Sequence, residues 1–143
     1  MLKNFFKRKS EDKNSENILV LIAALFVHAA RMDKNYTDKE KSIILKALSN
    51  ISSKKESEVK IILGEAEKKE NHSNQILEFT KEIKKLEKSF RLKILEVLWK
   101  IIYSDGVSDM YESTLMRRLS GLLYVSDRES GIIKQSISNN KTV

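Results

Sequence analysis

The chain has 143 residues, enough for one domain with a proper core, and carries a formal net charge of +7. It contains no cysteine, no proline and only four glycines, which excludes disulfides and thiolate metal sites and leaves almost nothing to interrupt a helix. The positive charge suits nucleic acid or anionic lipid, but the lysines are spread along every segment with no interleaved stripe of arginines or aromatics. They read as a solvated surface, and no nucleic-acid partner is expected.

Residues 1–16 are polar and basic apart from Leu2, Phe5 and Phe6, which predicts a flexible N-terminal segment. The sharper alternative is contact of residues 2–9, with Lys3, Lys7, Arg8 and Lys9, with an anionic membrane surface. Ile18 to Val27 is an unbroken apolar run, shorter than the ~20 residues of a bilayer span. A signal peptide is disfavoured because Glu11, Asp12 and Glu16 put negative charge between the basic end and the apolar run. The run is therefore expected inside a buried helix from about Asn17 to Met32. Apolar on nearly all sides, that helix suits the centre of a bundle.

Thr37 and Glu40 form a Ser/Thr-x-x-Glu capping box ahead of the stripe Ile43, Ile44, Ala47, Leu48 and Ile51, predicting a second helix from near Asp38. A third is expected over roughly Glu56 to Lys69, followed by a turn at Asn71 to Asn74. A fourth carries Ile76, Phe79, Ile83 and Leu86 at helical spacing. From about Ser89, Phe90 to Ile102 form the strongest apolar segment after the first helix. Gly106 suits the left-handed residue that ends it. Asp109 and Glu112 repeat the capping arrangement before Leu115, Met116, Leu119, Leu122 and Leu123. Ser126 and Glu129 make a further box that starts a last helix through Ile132, Ile133 and Ile137, with 139–143 left loose. No segment alternates with period two. The fold class is an all-α, single-domain helical bundle spanning 17–138.

Two stretches of the chain correspond without gaps. Asp33 and Glu40 recur as Asp105 and Glu112, each 72 residues on. Ile22, Leu25, Phe26, Ile43, Ile44 and Ile51 meet Ile94, Val97, Leu98, Leu115, Met116 and Leu123 at the same offset. This predicts an internal helix–acidic turn–helix repeat over 17–51 and 89–123.

Each copy places an aspartate at the end of a long helix and a glutamate in the first turn of the next. The glutamates have a sufficient role as caps. An aspartate near a helix C-terminus faces partial negative charge, which a cation, a lysine or displacement into the turn would offset. If the repeat forms a pseudo-twofold bundle, Asp33, Glu40, Asp105 and Glu112 can group as oxygen ligands for a hard divalent cation, Ca²⁺ or Mg²⁺. Caps and metal ligands are both open readings of these residues. The turns are not EF-hands, because the twelfth position from Asp33 or Asp105 is Ile44 or Met116 where a bidentate glutamate is required.

No catalytic residue is assigned. His28 lies on an apolar helix and His72 in a polar turn, and neither has the spacing of a zinc-protease motif. Glycine phosphate loops and the nucleophile elbow are missing from the sequence. Trp99 and Tyr103 read as packing residues.

Leu98-Trp99, the helix end through Tyr103 and Ser104, and Asp105-Gly106-x-x-Asp109-x-x-Glu112, followed by Leu115, Leu119, Leu122 and Leu123, resemble the bacterial TerB-like family. That family takes in the tellurite-resistance TerB domain and the N-terminal region of a membrane-bound co-chaperone, DjlA. The first copy is similar through Ala29 to Asp33 and Glu40, with Lys34 in place of the usual glycine. In the second copy Ser108 replaces an apolar residue. The resemblance spans about Asn17 to Ile133. It implies a bundle of about seven helices with an acidic, metal-binding surface and a link to tellurite and general stress resistance. A J-domain role is excluded within this chain, since its His-Pro-Asp motif needs a proline. The expectation is a non-enzymatic, cytoplasmic module that binds a divalent cation or a basic protein partner through the four carboxylates. The alternative is a scaffold held at the inner membrane or on a chaperone.

Overall fold

The first helix is the longest and most apolar element, and the other helices are arranged on it. A computed structural model describes residues 13–33, 36–71, 76–105 and 110–141, with the side chains of 13–16, 33, 105, 110–112 and 139–141 outside the description. Seven α-helices occur among the described residues: α1 (Lys13–Ala30), α2 (Asp38–Ser52), α3 (Glu56–Asn71), α4 (Leu77–Ile83), α5 (Lys88–Ile102), α6 (Met110–Leu122) and α7 (Asp127–Lys141). No strand is present among them. None of these helices is long and apolar enough to cross a membrane.

Every residue from Ile22 to Val27 is fully buried. A helix buried around its circumference needs neighbours on all sides. Here α1 packs most extensively on α3 and also touches α2, α4 and α5. Phe26, Phe79, Phe90, Leu25, Ile44 and Leu98 fill the core between these elements. In the second half α5 packs on α6 and α7, and α6 on α7, the pairings that α1, α2 and α3 make among themselves.

Several boundaries differ from the sequence pattern. Helix α1 begins at Lys13, inside the segment expected to be flexible, and α7 runs to Lys141, through residues expected to be loose. Periodicity marks where a helix is buried, whereas propagation past that point costs little once a helix is nucleated and no proline stops it. At the other end, α1 closes in a 3-10 turn, Arg31–Asp33, where the expected helix ran to Met32. Leu86 lies just beyond α4 rather than within it.

Both capping boxes that fall on described side chains are formed. Thr37 Oγ1 accepts from the Glu40 amide at 3.2 Å and the Thr37 amide donates to Glu40 Oε1 at 2.9 Å. Ser126 and Glu129 repeat this at 3.1 and 3.3 Å. The helix ends are closed differently. Ser53, after α2, and Tyr124, after α6, take left-handed conformations at φ 59° and 57° where glycine is the usual choice. Arg91 ties the second of these ends down, donating to the carbonyls of Leu123 at 2.8 Å, Tyr124 at 3.1 Å and Leu86 at 2.9 Å.

A buried polar chain fastens α7. Trp99 Nε1 donates to Ser130 Oγ at 3.2 Å, the Ser120 and Ser130 hydroxyls are 2.9 Å apart, and Ser120 Oγ donates to the Met116 carbonyl at 2.7 Å. A hydroxyl has a single proton, so once Ser120 donates to Met116 the chain has one direction: Trp99 to Ser130 to Ser120 to Met116. All three side chains are thereby satisfied, at 4 %, 5 % and 0 % exposure for Trp99, Ser130 and Ser120.

Two outcomes are expected. Lys88, then the Ser126 hydroxyl and amide, hold the Glu129 carboxyl down to about 2 from an ordinary 4.5. A depressed carboxyl adds stability above its unfolded pKa and loses it as pH falls through 4.5 toward 2. Urea midpoints across that window should fall less steeply for Glu129→Gln than for wild type, and parallel curves would place the acid sensitivity elsewhere. Ser53 is exposed, so Ser53→Gly relieves left-handed strain while removing no packed side chain. After the entropic cost of glycine the net gain is roughly 0.5–1 kcal/mol, read as a Tm raised by a few degrees.

Candidate functional site

The two long helices that lead into the acidic elbows end alike. Helices α1 and α5 end at Ala30 and Ile102, and each continues into a three-residue 3-10 turn, Arg31–Asp33 and Tyr103–Asp105, again 72 residues apart. Of the four expected carboxylates, Glu40 has its side chain described. It is 5 % exposed, and its Oε1 receives the Thr37 amide at 2.9 Å and the Thr37 hydroxyl at 3.1 Å. Its cap role is thus realised, and it takes part in further interaction beyond the cap. The side chains of Asp33, Asp105 and Glu112 lie outside the described residues, as do Gly106 and Asp109, and so does any distance among the four carboxylates. Among the described residues no three His, Asp or Glu side chains converge.

The first elbow is clasped by a polar cluster that sequence reasoning did not assemble. Arg31 Nη1 donates to Glu70 Oε1, to Asn71 Oδ1 and, at 3.4 Å, to the Glu67 carbonyl. His28 Nδ1 lies 3.3 Å from Glu70 Oε2. Across the elbow, Lys41 pairs with Glu67 at 3.5 Å. The Tyr36 ring takes the Arg31 guanidinium at 5.2 Å and the Lys41 ammonium at 4.9 Å. The end of α1, the start of α2 and the last turn of α3 are joined through these groups. Arg31 also stands at the C-terminal end of α1, where a cation complements the helix dipole.

The polar tip of Tyr36 belongs to the same cluster. Burial, then the Glu67 carboxylate, raise the phenol well above its ordinary range, so it stays protonated. Its buried hydroxyl nevertheless makes no hydrogen bond of acceptable geometry among the described residues. Glu67 raises the phenol through a weak hydrogen-bonding contact as well as through its charge, at a geometry short of a regular bond.

The clasp belongs to one half of the molecule. At the 72-residue offset His28, Arg31, Tyr36, Lys41, Glu67 and Glu70 meet Lys100, Tyr103, Ser108, Ser113, Asn139 and Thr142. A search for the repeat therefore passes over these residues. Their signal was Tyr36, an aromatic in an otherwise polar turn, beside an arginine in a lysine-rich chain.

Together these observations define a small all-helical domain in which two long helices each end in a 3-10 turn at an aspartate, the first of them held by a charged clasp. A family model described as Tellurite resistance protein TerB matches residues 20–135, which takes in both turns. The chain belongs to the TerB family. No curated protein and no solved structure matches it.

Tyr36→Phe tests the orphan hydroxyl. Removing a buried polar atom that makes no regular hydrogen bond among the described residues should leave stability unchanged or raise it by up to about 1 kcal/mol. A loss of that size in urea unfolding would show that the hydroxyl is bonded.

Proposed function

We propose that this TerB-family domain is a non-enzymatic module of tellurite-resistance type whose acidic elbows bind a divalent cation or a basic surface of a partner protein. Asp33, Asp105 and Glu112 supply oxygen ligands, and Glu40, committed to its cap, sets the first turn of α2 beside them. The observation that carries this reading is the pair of 3-10 turns ending at Asp33 and Asp105, the same local geometry met twice at one spacing. A duplicated helical unit accounts for that spacing and for the parallel helix pairings of the two halves. The sequence offers no nucleophile motif, and on that reading we take the role to be binding rather than catalysis. Ca²⁺ and Mg²⁺ are the cations that an all-oxygen set suits, and the cytoplasm is the compartment in which we place the protein. A second reading, motivated by Phe5 and Phe6 among Lys3, Lys7, Arg8 and Lys9, seats residues 2–9 on the inner membrane.

Thermal melts with and without millimolar Ca²⁺, Mg²⁺ or Mn²⁺ test the cation. Stabilisation by a ligand at a hundred times its Kd is about 2.7 kcal/mol, an upward Tm shift easily resolved. An Asp33→Asn/Asp105→Asn double variant should lose that shift. No shift in the wild type, or an equal one in the variant, would remove the metal.

A further inference from the structure

A cleft between α2 and α5, separate from the elbows, has an apolar floor and a basic rim. Ile43, Ala47 and Ile51 of α2 and Val97 of α5 line the bottom of a groove of about 220 Å³, with Asn50 at its side. Lys46 of α2 and Lys93 and Lys100 of α5 stand around it. Lys93 and Lys100 flank Val97 by about one helical turn each way, so they present charge along the length of the cleft.

The rim is short of negative charge. Lys93 and Lys100 share a single carboxylate, Glu96, at 3.5 and 3.4 Å. Lys46, exposed on the opposite wall, has no ion pair among the described residues. Three cations facing one anion leave an excess of two positive charges around an apolar trough. That excess favours an occupant that brings carboxylates.

We propose that this groove docks an acidic amphipathic helix of a partner protein. Two neighbouring aliphatic side chains at i and i+4 would enter the trough, and Asp or Glu residues on the flanks would meet Lys46, Lys93 and Lys100. A cleft between two packed helices is the shape into which a third helix lays its ridge. Its volume, equal to about seven waters, matches two leucine side chains rather than a whole small-molecule ligand. The apolar floor gives nothing to a phosphate backbone, and a flat bilayer surface does not follow a concave trough. The basic rim calls for an anionic occupant, and the apolar, concave floor selects an acidic peptide over a nucleic acid or a membrane.

The test titrates the full ¹⁵N-labelled chain with a helical peptide of about 18 residues carrying leucines at i and i+4 between glutamates. Amide shifts should concentrate at Ile43, Lys46, Ala47, Val97 and Lys100. A peptide with lysines in place of the glutamates, or serines in place of the leucines, should cause none. Lys46→Glu/Lys100→Glu alters two exposed side chains, and its fold is checked by circular dichroism. It should weaken binding at least tenfold. No shift at millimolar peptide, shifts centred elsewhere, or equal affinity in the charge-reversed variant would overturn the proposal. So would stronger perturbation of the same amides by a single-stranded oligonucleotide or by anionic vesicles.

Discussion

The governing constraint is that the middle of α1 has no face to give to water. Six consecutive fully buried residues, Ile22 to Val27, require helices on every side of it, and α2, α3, α4 and α5 fill those positions. Each large aliphatic or aromatic side chain so buried contributes about 1.5–3 kcal/mol, so the arrangement is driven from the centre outward. The outer helices need only one apolar stripe each, which leaves their remaining faces for lysine and glutamate. The high charge of the chain is thus a product of its core geometry as much as of any partner.

A central helix must also end somewhere, and its end is where polar chemistry collects. The last carbonyls of α1 emerge beside the first amides of α2 and the last turn of α3, three sets of unmatched backbone groups in one place. Thr37 and Glu40 satisfy the amides, while Arg31 answers the carbonyl side and draws Glu70 and Asn71 with it. The acidic elbow is therefore both a candidate ligand surface and a necessary repair of helix termini. These uses coexist when one carboxylate is spent on the cap and others are left to bind. The two halves divide at this point. Both long helices end in a 3-10 turn, but the Arg31–Glu70 clasp belongs to the first, and the residues at the 72-residue offset from it are Tyr103 and Thr142.

Much of the architecture was legible in the chain because its signals are local. The apolar girth of Ile18 to Val27 told of a central helix, and the Thr37–Glu40 and Ser126–Glu129 spacings located two helix starts that the structure forms. Helix ends were less legible, since α1 and α7 extend into polar residues whose helicity comes from propagation and leaves no periodic mark. The clasp was not legible at all. His28, Arg31, Tyr36, Glu67 and Glu70 come from separate elements, and only packing brings them together. Sequence spacing identifies groups that share a turn or a face, whereas ion pairs across some 40 positions depend on the path of the whole chain. The lysine-rimmed trough between α2 and α5 leaves no mark in the sequence for the same reason.

Trp99 is the sole tryptophan, and it sits at the donor end of the hydrogen-bonded chain that fastens α7, with the Lys134 ammonium 5.3 Å from its ring. The domain therefore contains its own optical gauge. Peeling the last helix away would hydrate the indole and strip it of both Ser130 and Lys134, while events confined to α2 or α3 would leave its emission nearly untouched. Fraying of the C-terminal helix and melting of the whole bundle can be told apart by one intrinsic fluorophore set against far-ultraviolet dichroism, with no label added.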